Sequence, residues 1–285
     1  MASTFSTNNL LVSEPIPYVY HVQLSKKPVN AFDLQFWTEY GQLFDRLSRR
    51  ETDVRAIVLS SSIPKLFCGG IDLSSLSSAP TSGEADGARS GVALAQFIRE
   101  FQSSIGAPAR CPIPVIAAVH GLVLGLGIDI MCACDIRYSA SNASFCIKET
   151  EVGLAADIGT LAFLPKVCGN LSLVREYAYS SLPFDAKTAE RMGFISRTVE
   201  GGMEEVVGAA LKLAEVIASR SPVAVNGTKQ IISHAIDHSI RDNLEYTAVW
   251  NSVALQTNDM PIIFAAMKEK KKPEFRPMRK STSKL

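Results

Sequence analysis

A dominant sign of charge is the first thing this sequence lacks: 29 Lys and Arg stand against 28 Asp and Glu, a formal net charge of +1. Without an excess of basic residues, nucleic acid and anionic membrane surfaces have no global attraction for the chain, and any basic site must be local. The longest apolar stretch, Pro112 to Cys134, is broken by His120, Asp129 and several glycines, which argues against a membrane span. Histidine is scarce, with four in the chain, and the six cysteines (Cys68, Cys111, Cys132, Cys134, Cys146, Cys168) lie in apolar runs without CxxC spacing. Neither set falls at metal-ligand intervals, so no metal is expected and the thiols read as free and buried. The usual nucleotide devices are missing too. Ile130 stands where a dinucleotide fingerprint would need its third glycine after Gly125-Leu-Gly127, and the chain has neither a GxSxG elbow nor a phosphate-binding loop. No cationic segment followed by an apolar block opens the sequence, and its first Arg is Arg46, so neither a secretory nor a mitochondrial leader is expected.

What is present suffices for a large core: 285 residues, 47% of them hydrophobic. Tyr18 to Leu24 and Ala56 to Ser60 are β-rich, and between them Phe32, Phe36, Tyr40, Leu43, Phe44 and Leu47 recur at helical spacing. A Ser/Gly-rich stretch from Ser74 to Ser90 predicts a loop, followed by an amphipathic helix carrying Leu94, Phe97, Ile98, Phe101 and Ile105. Pro114 to Val119 predicts a buried strand, Ile128 to Cys134 a helix, and Asp135 to Tyr138 a returning strand. From about Asp157 onward the pattern is almost wholly helical, with stripes over Met203 to Arg220, Val223 to Ile236 and Ile240 to Gln256. An α/β part of mostly parallel sheet followed by a helical part is the expected architecture, divided as 1–200 and 201–285. No internal repeat is visible.

Two glycine-bearing segments, Phe67 to Leu73 and Leu124 to Asp129, join apolar runs and can offer backbone N–H groups to a developing negative charge. Three carboxylates lie in apolar company: Asp129, Glu149 and Asp157. Burial raises a carboxyl pKa and makes it usable for proton transfer near neutral pH. Each also has a plain structural alternative: Asp129 complementing a helix N-terminus, Asp157 capping the helix that begins near Gly159, and one of Glu149 and Glu151 merely solvated. His120 reads as a hydrogen-bonded structural residue. The run Lys268 to Lys272 reads as a solvated helix end unless a phosphate-bearing ligand is involved.

From Tyr18 to Arg276 the chain resembles the crotonase (enoyl-CoA hydratase/isomerase) superfamily. The resemblance is carried by Lys27-Pro-Val-Asn-Ala-Phe32, Phe67-Cys-Gly-Gly-Ile-Asp-Leu73, Pro114-Val-Ile-Ala-Ala-Val-His-Gly121, Ala133-Cys-Asp-Ile-Arg137 and Ser221-Pro-Val-Ala-Val225. It implies a ββα spiral core with a helical carboxy-terminal trimerisation region, an acyl-CoA thioester substrate, no cofactor beyond that substrate's CoA, and assembly as a homotrimer or homohexamer. By position it implies an oxyanion hole from the N–H groups of Ile71 and Leu126, although most relatives carry glycine where Leu126 stands. Substrate or CoA contacts are implied at Lys26, Lys27, Gly69, Gly70, Asp72 and Gly125, with the Lys268 to Lys272 run a further candidate for the CoA phosphates. The segment from Asp129 to Asn170 resembles dienoyl-CoA isomerases in particular. Hydratases of the family have glutamates at the positions of Asp129 and Glu149 and glycine at that of Asp157. The implied reaction is isomerisation of 3,5-dienoyl-CoA to 2,4-dienoyl-CoA in fatty-acid β-oxidation, with Glu149 near C2, Asp157 near C6 and Asp129 orienting the pair. The alternatives are enoyl-CoA hydration, Δ3,Δ2-enoyl-CoA isomerisation, or a non-catalytic CoA- or RNA-binding protein of the same fold. Ser283-Lys284-Leu285 matches the tripeptide read by the peroxisomal import receptor, so a peroxisomal location is expected.

Overall fold

The computed structural model describes residues 2–72, 74 and 86–278. The chain begins with an antiparallel pair, β1 (Leu10–Ile16) and β2 (Val19–Leu24), followed by α1 (Leu34–Ser48) and β3 (Ala56–Ser61). Asp33 caps α1 by accepting from the Phe36 N–H at 2.8 Å. The apolar stripe read from the sequence is the helix's buried face: Phe36, Tyr40, Leu43, Phe44 and Leu47 are all within it.

A unit of two strands and a helix then recurs. β3 leads into β4 (Leu66–Cys68) and α2 (Gly87–Ile105), with the one-turn α3 (Ala107–Arg110) after it. β5 (Val115–Val119) leads into β6 (Leu122–Leu124) and α4 (Leu126–Cys132). β7 (Ile136–Ala140) leads into β8 (Ser144–Cys146), a 3-10 turn over Glu149–Val152, and α5 (Thr160–Val167). The first strand of each unit joins a six-stranded sheet and the second joins a four-stranded one. The chain continues through α6 (Leu171–Ser180), β9 (Phe184–Asp185), α7 (Ala186–Met192), β10 (Arg197–Val199), α8 (Met203–Ala218), α9 (Pro222–Ala235), α10 (Ile240–Ala254) and α11 (Asp259–Glu269). The sheet orders are β1-β2-β3-β5-β7-β10 and β4-β6-β8-β9. All pairs are parallel except β1/β2 and β8/β9. β9 and β10 correct the expectation of an almost wholly helical chain after Asp157: two- and three-residue strands are too short to develop a period of two.

Alternation along β3 divides the core. Ile57 and Leu59 enter the main cluster with the α1 stripe, Phe67 and Phe145, whereas Ala56 and Val58 face a second cluster formed with Val206, Ala210, Ala214 and Ala218 of α8. The small residues of α8 let the helix lie close on the sheet. α9 is tethered by a buried cation: Lys229 Nζ lies 2.7 Å from Asp135 Oδ2 and donates to the carbonyls of Pro108 (2.9 Å) and Ile113 (3.0 Å). Asp135 also accepts the Val115 N–H at 2.7 Å, and Arg137 donates to the carbonyls of Phe194 and Cys134. The segment Ala133 to Arg137 is therefore a structural clasp. All six cysteines are free and buried, and among the described residues no helix is long and apolar enough to cross a membrane.

Candidate active site

The four-stranded sheet determines which segments meet. β4, β6 and β8 are parallel neighbours, so the residues following each emerge side by side at one end of the sheet. Those segments are Gly69-Gly70-Ile71, Gly125-Leu126 and Glu149. The ends of adjacent parallel strands are where open α/β sheets place their ligands.

Gly70 has φ +94° and Gly125 φ +44°, backbone conformations that side-chain-bearing residues rarely adopt. The two turns are close: a Cβ at Gly70 would stand 3.6 Å from the Leu124 carbonyl oxygen. The first turn is pinned by Phe32 N–H to Gly70 O at 3.0 Å and Asp72 N–H to Phe32 O at 2.9 Å, and the second by Gly125 N–H to Cys146 O at 2.9 Å. Neither the Ile71 nor the Leu126 N–H donates to a partner among the described residues. Leu126 opens α4, where the first N–H groups have no intrahelical acceptor, and its side chain joins the buried core cluster. Asn30, held at φ +50° and fully buried, braces the first turn by donating to Ser61 Oγ at 2.8 Å and the Phe67 carbonyl at 2.9 Å.

Glu149 lies against the second turn, its Oε1 3.1 Å from where a Cβ at Gly125 would be. Its Oε2 is buried without a hydrogen-bond partner among the described residues. Burial, reinforced by the charge of Asp129, pushes the carboxyl up to about 7. Asp129 is 2% exposed and is pushed by burial to about 6, held from going further by its bond from the Thr160 N–H at 2.6 Å. Thr160 is the first residue of α5, so Asp129 does complement a helix N-terminus, though not that of its own helix. Asp157 lies at the surface beside the other two, and partial burial of its carboxyl raises its pKa. It does not cap α5, whose cap residue Gly159 makes no side-chain bond. Its charge acts on both Asp129 and Glu149, so the three carboxyls form one electrostatic group. Glu151 instead pairs with Lys148 at the surface.

The other sequence-derived positions differ in accessibility. Lys26 is engaged, with Nζ 2.6 Å from Asp33 Oδ2, 2.9 Å from the Ala31 carbonyl and 3.8 Å from Asp72 Oδ2. Lys27 is exposed, Gly69 donates its N–H to the Val29 carbonyl at 2.8 Å, and Lys268 to Lys272 lie at the exposed end of α11. His120 is buried with Nε2 2.9 Å from the Ile63 carbonyl, away from the carboxyl group. Gln102 was not predicted: its Nε2 donates to the Asp157 carbonyl at 2.5 Å and ties that loop to α2. A polar residue on an amphipathic helix carries no sequence signal for such a bond.

The chain matches the enoyl-CoA hydratase/isomerase family over residues 18–278. It is 43% identical over 261 residues to the mitochondrial Δ3,5-Δ2,4-dienoyl-CoA isomerase of Homo sapiens, spanning 91% of this chain and 79% of that one. To the peroxisomal Δ3,5-Δ2,4-dienoyl-CoA isomerase of Arabidopsis thaliana it is 37% identical over 260 residues, spanning 90% and 92%. Among solved structures, a putative enoyl-CoA hydratase from Streptomyces coelicolor A3(2) superposes with a TM-score of 0.83 at 30% identity, covering 95% of each chain. These relatives correct the expected peroxisomal location. The dienoyl-CoA isomerases of human, mouse, rat and Dictyostelium discoideum are designated mitochondrial and the plant one peroxisomal, a balance that favours the mitochondrion. A terminal tripeptide is an address read by a receptor and leaves no imprint on the fold. Ser283-Lys284-Leu285 lies outside the described residues.

Proposed function

The chain belongs to the enoyl-CoA hydratase/isomerase family, and on that footing we propose that it converts 3,5-dienoyl-CoA to 2,4-dienoyl-CoA by proton transfer between carboxyls beside a backbone oxyanion hole. The observation that carries the reading is the meeting of an unpartnered, partly desolvated Glu149 carboxyl with the Gly125-Leu126 turn. With a pKa near 7, Glu149 is poised to act as a base at neutral pH.

Glu149 removes a proton from C2, and the electron pair spreads through the dienolate to the thioester oxygen. The N–H groups of Ile71 and Leu126 receive that charge, and losing one such donor typically costs ~3 kcal/mol of transition-state stabilisation. As the carbonyl re-forms, the π pairs move to C2–C3 and C4–C5, and C6 takes a proton from Asp157. Glu149 then holds one proton more and Asp157 one fewer, and exchange through solvent at the exposed Asp157 restores the starting state. Asp129 orients the pair and, by its charge, makes Glu149 the stronger base.

CoA is the carrier portion of the substrate; Lys26, Lys27, Gly69, Gly70 and Asp72 border its entry, and Lys268 to Lys272 offer charge for its phosphates. Residues 201–285 serve assembly while 1–200 hold the site. The solvent-facing apolar residues of α10 and α11, among them Ile240, Leu244, Val253, Phe264 and Met267, are the surface available for burial in the homotrimer or pair of trimers that the family resemblance implies. The test is an ultraviolet time course with a 3,5-dienoyl-CoA, beside Asp157→Asn and a 2-enoyl-CoA control. A rise in conjugated 2,4-dienoyl absorbance that Asp157→Asn abolishes is expected. No rise, with loss of 2-enoyl absorbance in the control, would make the protein a hydratase.

A further inference from the structure

The segment that carries Asp157 has few holds of its own. Before it, the Leu154 N–H donates to the Glu149 carbonyl at 3.1 Å, and after it, the Thr160 N–H donates to Asp129 Oδ1 at 2.6 Å. Across residues 155–158, between those two ties, the Gln102 bond to the Asp157 carbonyl is the one hydrogen bond that arrives from another element among the described residues. Arg110 borders the same opening between α3 and the start of α5, but its guanidinium donates to the Ser103 carbonyl at 2.6 Å and to Ser103 Oγ at 3.2 Å and forms no ion pair with Asp157. Gln102 itself stands on a fixed base. Phe101 and Ile105 beside it on α2 are buried in the main core, and the Phe101 ring stacks on Trp37 of α1 at 5.1 Å. A Cβ at Gly41 of α1 would stand 2.8 Å from Ser104 Oγ, so the two helices are in close contact at this turn. A rigid helix end therefore reaches, through one side chain, the residue read as the proton donor.

Where Asp157 stands decides which product forms. Loss of the C2 proton from a 3,5-dienoyl thioester leaves an electron pair shared by the oxygen, C2, C4 and C6. A proton delivered to C6 leaves double bonds at C2–C3 and C4–C5, one delivered to C4 leaves them at C2–C3 and C5–C6, and one returned to C2 restores the substrate. C4 and C6 are near neighbours along the chain, and a misplacement of about 1 Å can cost on the order of 10²-fold in rate. We propose that Gln102 is the positioning residue for Asp157, its hydrogen bond holding the carboxyl at C6 and so directing the proton there rather than to C4. The proposal rests on the assignment of Asp157 to C6 made above. Gln102 holds the main-chain oxygen and not the carboxyl, so it fixes where the acid stands and leaves the carboxyl free to give its proton and regain one from solvent.

The experiment follows 3,5-octadienoyl-CoA in deuterium oxide by proton NMR. It uses the full chain, Gln102→Met, which keeps the length and loses the donor, and Gln102→Lys, which restores a donor at similar reach. One sample reports deuterium entering C2 of the unconverted substrate, the 2,4-dienoyl product and the 2,5-dienoyl product. In Gln102→Met the rate of 2,4-dienoyl formation should fall about 10- to 100-fold, the order of loss that a displaced group produces. Deuterium should still enter C2 through Glu149, and the 2,5-dienoyl share should rise. In Gln102→Lys the ratio of 2,4-dienoyl product to C2 exchange should return toward that of the parent. The bond lies at the surface, so its loss should leave the fold standing. Loss of active protein would lower exchange and product together, so a parallel fall of both in Gln102→Met overturns the proposal, as does an unchanged ratio of product to exchange. A Gln102→Lys variant no better than Gln102→Met also overturns it, since the donated hydrogen would then not be what positions Asp157. All three results leave the isomerase reading intact, whereas failure of the parent to form any 2,4-diene would overturn that reading and this proposal with it.

Discussion

Replacing Glu149 with Gln separates what the carboxyl does for the reaction from what it costs the fold. Its pKa stands at about 7 against an ordinary 4.5, with burial the larger cause and the Asp129 charge the second. In the unfolded chain the group ionises near its ordinary value, so between those two pH values the folded protein holds the extra proton. The stability this confers is present at low pH and is lost as pH rises through about 7. A change of this size corresponds to at most ~3 kcal/mol. Glu149 is partly reached by solvent, which reduces the expected loss to roughly 1–2 kcal/mol. The amide of the Glu149→Gln variant cannot ionise and escapes that loss. Urea unfolding of both proteins at pH 5 and pH 8, at one fixed protein concentration, should show the variant gaining that amount relative to the parent at pH 8. The comparison between pH values cancels any constant effect of the amide. On the proposed role of Glu149 as general base, the same variant should lose about 10²–10⁴-fold in kcat. An identical pH dependence of stability in the two proteins would mean that the carboxyl is fully solvated in the folded state, and the account of it as a desolvated base would fail.

Asp129→Asn removes the charge that helps hold Glu149 up, so the rising limb of kcat/KM against pH should move to lower pH, read from a pH–rate profile of the variant beside the parent. Lys229→Met strips the buried ammonium from Asp135 and from the Pro108 and Ile113 carbonyls and should cost about 1–3 kcal/mol in urea unfolding. Asn30→Ala strips two buried hydrogen bonds from the brace of the first glycine turn. It should destabilise by about 1–3 kcal/mol and, on the proposed oxyanion role of the Ile71 N–H, lower kcat more than it raises KM, because such a donor is needed most when charge develops on the thioester oxygen.

How much of this was legible in the sequence depended on element length. The α1 stripe and the runs of β2 and β3 span six or more residues, enough for a period to emerge, and the structure places them where the pattern does. α8, α9 and α10 follow for the same reason. β1 escaped notice because only its first and third residues are buried and Pro15 interrupts it. The four-stranded sheet was invisible: its strands are two or three residues long, and no alternation can be read from so few positions. The threefold ββα unit leaves no repeat in the sequence pattern, since each copy pairs a longer strand with one of these short ones, and was expected through the family resemblance alone.

That loss matters more for the site than for the fold. The sequence marks two glycine turns and three carboxyls as chemically unusual, but their being neighbours follows from β4, β6 and β8 lying side by side and parallel. Asp129 shows the limit most sharply. From its apolar surroundings, a helix-terminus role and a place in the catalytic group were competing readings. In the structure one carboxyl oxygen takes the N–H that opens α5, while the charge of the same group raises the pKa of Glu149. A buried carboxylate needs a donor to persist at all, so the bond to Thr160 is what allows Asp129 to sit deep enough to act on its neighbour. The structural and electrostatic roles are therefore one arrangement, and choosing between them at the level of sequence was a choice the fold does not make.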